Sequence, residues 1–319
     1  MILEYDNQVH NTIFCIMKKN LSKLQNKILK FIYGLKKKYF YYESFNLFKN
    51  FVAPPKIIGY QLSRNTKLGN KGDIIYLPPD IQNSWFVMNS GELGYNYMNY
   101  IPDEKKKSNE YVFIDIGANV GLSTREMMKE NINIVSYVCV EPVKTNYECL
   151  KLNLGNFKNV DLYNFGLSDV ETRQDIFIDS GNHGNSSLLE TMMVHSKHNE
   201  YVISSVDIKT VKQFFNLIKD KITDKQLIIK IDVQGYDELI FSLIPEEILE
   251  KTDLLIYELT LHQKIKNPDF DIDSFKKNLS KFNKLDSDTI SIRSFDDLIK
   301  ITANRNNGKK LETDIYLQK

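Results

Sequence analysis

The segment from Phe113 to Gly121, Phe-Ile-Asp-Ile-Gly-Ala-Asn-Val-Gly, constrains the fold of this chain more than any other. It overlaps the apolar run Tyr111–Asp115, which is typical of a buried parallel strand, and a helix is predicted from about Leu122. A glycine turn between a strand and a helix lies where doubly wound α/β folds bind ligands. Its Gly-x-x-x-Gly spacing is neither the Gly-x-Gly-x-x-Gly of dinucleotide-binding enzymes nor a P-loop. We therefore expect a cofactor without a pyrophosphate group.

Strands and helices alternate after this point, which predicts an α/β fold with a mostly parallel sheet and helices on both faces. Further strands are predicted at Ile134–Val140, Val160–Phe165, Leu227–Ile231 and Leu254–Tyr257, with Thr289–Ile292 and Asp314–Leu317 closing the sheet. Helices are predicted over about Thr145–Leu154 and from about Asp237. We interpret the charged run 103–107 as a solvated loop.

The chain divides into three predicted parts, namely residues 1–53, 54–108 and 109–319. The first part is rich in lysine, with apolar residues at helical spacing, and predicts a basic amphipathic helix. Residues 18–50 either attach to an anionic membrane surface or an acidic partner, or pack their apolar stripe on the main domain or on a second copy. We favour packing.

The second part begins at Pro54-Pro55, a pair that ends any helix. It is irregular, with short strands predicted at 57–58, 74–77 and 85–88 and a short helix over 92–100. The third part is predicted to be the α/β domain with the mostly parallel sheet.

An acidic residue follows the glycine turn at the end of the next strand. Glu141, which precedes Pro142, lies 20 residues after Gly121 and can accept hydrogen bonds from both hydroxyls of a ribose. The loop Gly166–Asp169 follows the third strand, where an adenine would lie. The predicted cofactor-binding residues are Asp115, Gly117, Ala118, Asn119, Gly121, Glu141, Pro142, Ser168, Asp169 and Asp232.

Two charged residues end the strand Leu227–Ile231. Burying Lys230 and Asp232 is costly unless each has a task or a partner. They either pair with one another or with Asp115, or act on a ligand.

Taken together, these segments resemble those of the FkbM-type methyltransferases. The resemblance rests on Phe113–Gly121, Val140–Pro142, Gly166–Asp169 and above all Lys230–Gly235, and Val206-Asp207 and Ser186–Leu188 also fit. It covers about Glu92 to Glu258. It implies a Rossmann-like class I methyltransferase fold, S-adenosylmethionine as the methyl donor, and O-methylation of sugars or of natural-product hydroxyls.

The chain departs from the family pattern at two places. Gln234 stands where the pattern has Glu, and Tyr236-Asp237 stands where it usually has Ala-Glu. Gln234 keeps its hydrogen-bonding capacity but loses the charge, which weakens any role as a base or a metal ligand.

Methyl transfer to a sugar hydroxyl needs alignment of the acceptor and a group that removes its proton. Candidate bases are Asp232, which we favour, and Glu258, His262 and His183. The sequence shows no metal-ligand cluster, and Mg²⁺ held by Asp232 and Glu258 is an alternative to direct base catalysis. The loop 182–186 is expected to line the acceptor pocket.

Other functions stay open at this stage. We expect an O-methyltransferase for a sugar or glycan, such as a nucleotide-linked sugar or a polysaccharide precursor. The alternatives are a binding protein that has lost catalysis, a methyltransferase for another natural product, and a nicotinamide-dependent oxidoreductase. The net charge of +1 argues against a nucleic-acid partner. No apolar segment is long enough to span a membrane, so we expect a cytoplasmic protein, with a peripheral position at the inner membrane face as a further expectation.

Overall fold

The computed structural model describes residues 57–80, 83–84, 87, 90–95, 99–195, 201–262, 264–265, 267–289, 291–303 and 311–319. Several predictions concern residues outside these ranges. They are the amphipathic helix, the role of residues 18–50, and most of the strand at 85–88. The division into three parts therefore stays a prediction. Among the described residues, no helix is both long and apolar enough to cross a membrane.

Twelve strands are described. They are β1 (Ile58–Gln61), β2 (Ile74–Leu77), β3 (Tyr111–Ile116), β4 (Ile134–Val140), β5 (Val160–Tyr163), β6 (Gly166–Ser168), β7 (Thr172–Asp179), β8 (Tyr201–Thr210), β9 (Gln226–Ile231), β10 (Thr252–Leu261), β11 (Lys284–Ser287) and β12 (Leu311–Gln318).

Nine helices of 4 to 11 residues are described. They are α1 (Asp103–Ser108), α2 (Leu122–Met127), α3 (Lys144–Leu154), α4 (Val211–Leu217), α5 (Lys219–Ile222), α6 (Asp237–Leu243), α7 (Glu246–Leu249), α8 (Ile272–Leu279) and α9 (Phe295–Ala303). The predicted helices at α2, α3 and α6 are confirmed. Single 3₁₀ turns occur at His183–Asn185 and Glu190–His195.

The main sheet has seven strands in the order β11-β12-β10-β9-β3-β4-β5. From β10 to β5 neighbouring strands are parallel, whereas β12 is antiparallel to β10 and β11. The fold class is thus α/β with a mostly parallel, Rossmann-like sheet, as predicted. A hairpin of β1 and β2 and a three-stranded sheet in the order β6-β8-β7 complete the described strands.

The order of strands places a crevice at the centre of the sheet. From β3 the chain proceeds outward to β4 and β5, and it later returns to the other side of β3 to form β9. The connections after β3 and β9 therefore diverge, and ligands bind at such a switch point, beyond the carboxyl ends of the strands.

Side chains alternate between the two faces of the sheet, and one face changes character along the strands. Near the strand starts this face carries Phe113, Ile228 and Ile256, which belong to one apolar cluster. At the carboxyl ends the same alternation places Asp115, Lys230, Glu258 and Asp314 there. The charged groups are thus collected at the edge that borders the crevice.

Three sequence predictions are wrong. The run 103–107 forms helix α1, which begins directly after Pro102. Acidic residues in its first turn and lysines in its last turn interact favourably with the helix dipole. Lys106 is buried and pairs with Asp103. Glu92–Tyr95 is not helical, since the Glu126 carboxylate binds the amides of this loop. The edge strand lies at β11 rather than at Thr289–Ile292, because Lys284–Ser287 pairs with β12.

Candidate active site

The glycine turn after β3 packs directly against the backbone that follows β9. Gly117 has φ +82, and a Cβ at this position would lie 1.9 Å from the carbonyl oxygen of Asp232. Gly121 has φ +85, and its Cβ would lie 2.8 Å from the methyl groups of Leu150 and Leu154. The first glycine therefore allows two strand ends to meet, and the second allows α2 to pack on α3.

Glu141 lies at the end of β4 and holds the turn in place. Its two carboxylate oxygens accept hydrogen bonds from the backbone amides of Asn119 (2.9 Å) and Val143 (2.8 Å). The side chain is buried, and burial raises the pKa of Glu141 to about 7 against the effect of these hydrogen bonds. Since each carboxylate oxygen has a second lone pair, Glu141 can still accept hydrogen bonds from a ligand.

A first cavity, called here the Glu141 cavity, opens over the ends of β3, β4 and β6. Its lining residues with a bearing on function are Gly117, Asn119, Glu141, Pro142, Asn146, Phe165, Gly166, Leu167, His183, Gly184, Ser186, Asp232 and Tyr236. It combines an acidic end at Glu141 with an apolar wall, which suits a nucleoside.

A second cavity, called here the Asp314 cavity, adjoins the first and is the larger, at about 280 Å³ against about 100 Å³. Its polar lining residues are Asn83, Tyr95, Asn119, Ser123, Asn182, Asn185, Lys230, Asp232, Asp288 and Asp314. The two cavities share Gly117, Asn119, Gly184 and Asp232. The loop 182–186, expected to line an acceptor pocket, contributes to both.

Lys230 connects the two acidic groups of the strand ends. Its ammonium lies 3.0 Å from Asp232 Oδ2 and 3.5 Å from Asp115 Oδ1, so the two pairings that the sequence offered as alternatives are both present. Burial alone would lower the pKa of Lys230, but the two carboxylates outweigh it and raise the pKa, so the side chain stays charged.

Asp115 was expected to face the crevice, but it lies beneath the glycine turn. It is fully buried, and its Oδ2 accepts hydrogen bonds from Ser123 (2.5 Å) and Thr124 (2.7 Å) at the start of α2. It lines neither cavity. Its position allows it to orient Lys230 and α2 rather than to contact a cofactor.

Gln234 joins two carboxylates. Its amide nitrogen donates hydrogen bonds to Asp232 Oδ1 (2.9 Å) and Glu258 Oε2 (2.7 Å). Burial and neighbouring carboxylates raise the pKa of Glu258 well above its usual value. Burial would also raise the pKa of Asp232, but Lys230 and the hydrogen bonds from Gln234 and Tyr95 outweigh it and leave that pKa below its usual value.

The other candidate residues fall in different places. His183 lines the Glu141 cavity, where its Nδ1 lies 3.0 Å from Asn146 Oδ1, and burial lowers its pKa to about 4. His262 lines neither cavity. The same holds for Ser168 and Asp169, because β6 turns into the second sheet and leaves Asp169 exposed.

Four residues that line the two cavities were not predicted from the sequence, namely Tyr95, Asn146, Asp288 and Asp314. Asp314 was assigned only to a closing strand, because the apolar run Ile315–Leu317 that follows it shows no alternation that would indicate the face on which its carboxylate lies. Tyr95 reaches Asp232 from a part of the chain that has no recognisable pattern. Among the described residues, no group of three or more His, Cys, Asp or Glu side chains is arranged to hold a metal ion.

A glycine turn at the switch point of the sheet, with an acid at the end of the next strand, is the arrangement of a Rossmann-like nucleotide-binding site. The family model described as the methyltransferase FkbM domain matches residues 115–301. The match covers more than half of the chain, and the chain belongs to the FkbM family of S-adenosylmethionine-dependent methyltransferases.

Several solved structures with similarity to this chain are methyltransferases. The FkbM methyltransferase of Methylobacillus flagellatus KT is 15% identical over 65% of this chain and 43% of its own, with a TM-score of 0.36; this chain thus spans less than half of that protein. Precorrin-6y C5,15-methyltransferase of Geobacter metallireducens GS-15 is 10% identical over 68% and 84%, with a TM-score of 0.30. A SAM-dependent methyltransferase of Leishmania major is 10% identical over 70% and 69%, with a TM-score of 0.30. A search of curated proteins gave no match.

Proposed function

We propose that this protein transfers the methyl group of S-adenosylmethionine to a hydroxyl of a sugar or glycan. The observation that carries the proposal is the junction of the two cavities at Asp232 and Gly117. A nucleoside in the Glu141 cavity would direct the rest of the donor toward the polar Asp314 cavity, where an acceptor can meet it.

The residues of the Glu141 cavity fit the adenosine part of the donor. Glu141 would accept hydrogen bonds from the ribose hydroxyls, and Phe165 and Leu167 provide an apolar wall for the base. His183 would contact the nucleoside as a neutral imidazole, because its low pKa keeps it uncharged at neutral pH.

The charge of the Asp314 cavity fits the other end of the donor. Three aspartates face a single lysine, which is itself paired with Asp115 and Asp232. The methionine end of the donor carries a sulfonium, an α-ammonium and an α-carboxylate, and the surplus of negative charge would stabilise its net charge of about +1. When bound, S-adenosylmethionine supplies an electrophilic methyl carbon on its sulfonium sulfur.

The polar lining supports a hydroxyl-rich acceptor. Asparagine and aspartate side chains offer both donors and acceptors to neighbouring hydroxyls, and Asn182, Asn185 and Asn83 lie on this wall. The same surplus of negative charge disfavours a phosphate in this cavity. We therefore propose that a nucleotide-linked or lipid-linked sugar would place its neutral sugar ring here and its phosphate outside.

The test is a transfer assay with the full chain and S-adenosylmethionine labelled in the methyl group. The acceptors are neutral sugars, nucleotide-linked sugars and a catechol as a non-sugar hydroxyl. Label in a sugar methyl ether, identified by mass spectrometry, is the expected result. Label in the catechol alone would move the proposal to another class of natural product. Binding of the donor without transfer to any acceptor would favour a binding protein.

A further inference from the structure

The three aspartates of the Asp314 cavity differ in the partners of their carboxylates. Asp232 accepts from Lys230 (3.0 Å), from Tyr95 (3.4 Å) and, on the other oxygen, from Gln234 (2.9 Å). Asp288 Oδ2 accepts from the hydroxyl of Tyr316 at 3.0 Å. The carboxylate of Asp314 has no hydrogen-bond or ion-pair partner among the described residues, although it lines the cavity.

The position of Asp314 is fixed by the backbone. It lies within β12, directly opposite Glu258 of the antiparallel strand β10. Its carbonyl oxygen accepts a hydrogen bond of 3.3 Å from the amide of Asp288. A side chain on a paired strand is held more precisely than one on a loop, which is what a reacting group requires.

We propose that Asp314 is the base that removes the hydroxyl proton of the acceptor during methyl transfer. This inference rests on the proposed function and assigns the proton to a residue other than Asp232. The geometry supports this role because Asp314 lines the Asp314 cavity and its carboxylate accepts no hydrogen bond from another described side chain. Both oxygens of Asp232, in contrast, already accept hydrogen bonds.

The acceptor O–H bond breaks and its proton passes to a carboxylate oxygen of Asp314. A lone pair of the acceptor oxygen forms the new C–O bond with the methyl carbon, and the C–S bond breaks with its electron pair on sulfur. The products are a methyl ether and a neutral thioether, S-adenosylhomocysteine, and Asp314 then loses its proton to solvent.

The electrostatic surroundings agree with this role. Burial raises the pKa of Asp314 to about 7, together with the negative charges of Asp232, which follows β9, and Asp288, which follows β11. The positive charge of Lys230 opposes this shift. Glu258, whose own pKa is raised by Asp314 among others, faces it from β10. A base is most effective when its pKa lies near the working pH, and the low pKa of Asp232 makes that residue a weaker one.

The phenol groups near β12 do not compete for the proton. The pKa of Tyr100 is raised to about 12 by burial and by nearby aspartates, Asp314 among them. The pKa of Tyr316 is raised as well, first by burial and then by Asp314 and Asp288. Both phenols therefore stay protonated at neutral pH.

The test compares Asp314→Asn with Asp286→Asn, an exposed aspartate on β11 outside the cavity. Asp314→Asn should lower kcat, measured at saturating S-adenosylmethionine so that donor affinity does not enter, by about 10²- to 10⁴-fold, the usual contribution of a general base. It should also remove the limb of the wild-type pH–rate profile that rises through about pH 7. Asp286→Asn should keep the wild-type kcat and profile. An Asp314→Asn enzyme that keeps both kcat and the rising limb would overturn the proposal.

A second measurement does not depend on finding the acceptor. Wild type labelled with ¹³C at its aspartate carboxyl carbons should show one resonance titrating near pH 7 that Asp314→Asn lacks and Asp286→Asn retains. Titration of Asp314 at the ordinary aspartate pKa of about 3.9 would overturn the proposal. A wild type that methylates no sugar, with Asp314 titrating near pH 7, would instead be a failure of the proposed function. Circular dichroism of each variant checks that it is folded.

Discussion

The side-chain amide of Gln234 donates a hydrogen bond of 2.7 Å to Glu258 Oε2. The same nitrogen also donates to Asp232, so one neutral amide separates two carboxylates that would otherwise repel each other. The family resemblance implies Glu at this position, which would add a like charge where Gln234 forms a hydrogen-bonded bridge.

Gln234→Glu should therefore destabilise the protein. The variant places a third carboxylate between Asp232 and Glu258 and removes two hydrogen bonds to charged groups, each worth about 1.5–3 kcal/mol. We expect the free energy of unfolding in denaturant to fall by about 3 kcal/mol at pH 8 and by less at pH 5, where the cluster takes up a proton. Gln61→Glu, at the exposed last residue of β1, is the control and should change stability by less than about 0.5 kcal/mol. Equal losses at both pH values would contradict the repulsion.

Lys230→Met should cost much more than the loss of an exposed lysine. The variant leaves Asp115 buried without its cation, a change that costs about 3–5 kcal/mol. Lys221→Met breaks a shorter but exposed ion pair with Asp161 and should cost less than about 1 kcal/mol. Both values are free energies of unfolding measured in denaturant. Similar losses for the two variants would show that the buried ion pair stabilises the protein no more than the exposed one.

Gly117→Ala should prevent or severely weaken folding. Its Cβ would lie 1.9 Å from the carbonyl oxygen of Asp232, so β3 and β9 would have to separate. Gly72→Ala isolates the cost of a positive φ, because Gly72 has φ +99 and no atom within 4 Å of its Cβ. It should cost only about 1–2 kcal/mol. If the two variants unfold at the same denaturant concentration, the close approach at Gly117 is not what restricts the turn.

Glu141 should make stability depend on pH. Its pKa rises from 4.5 to about 7 on folding, so between these values the folded protein binds a proton that the unfolded chain has released. The free energy of unfolding then falls as pH rises through this window, by about 3 kcal/mol from this group. Between pH 4.5 and pH 7 the wild type should lose about this much more stability than Glu141→Gln. Parallel pH profiles for the two proteins would show that burial does not perturb this carboxyl.

The central sheet and the glycine turn were predictable because each depends on local sequence. Apolar runs define β3, β4, β9 and β10. A glycine is needed at position 117 because the ends of β3 and β9 meet there too closely for a Cβ. The family resemblance, carried mainly by Lys230–Gly235, was confirmed as well.

The acceptor side of the site was not predictable, because it depends on register between distant strands. Asp314 meets the crevice only because β12 pairs with β10 and places it opposite Glu258. Asp115 shows the converse: its position at a strand end predicted contact with the crevice, but Ser123 and Thr124 hold it beneath the turn. Helix α1 was missed since a charged run alone does not reveal that Lys106 is buried.

The most direct test of this account is the affinity for S-adenosylmethionine, measured by titration calorimetry on wild type, Glu141→Ala and Glu104→Ala. Glu104 is an exposed acid on α1 and serves as the control. We predict that Glu141→Ala weakens binding by about 100-fold, since two hydrogen bonds to a charged group at about 1.5 kcal/mol each are lost, and that Glu104→Ala binds like the wild type. Equal affinity in all three proteins, or no binding by the wild type, would contradict the assignment of the Glu141 cavity to the methyl donor.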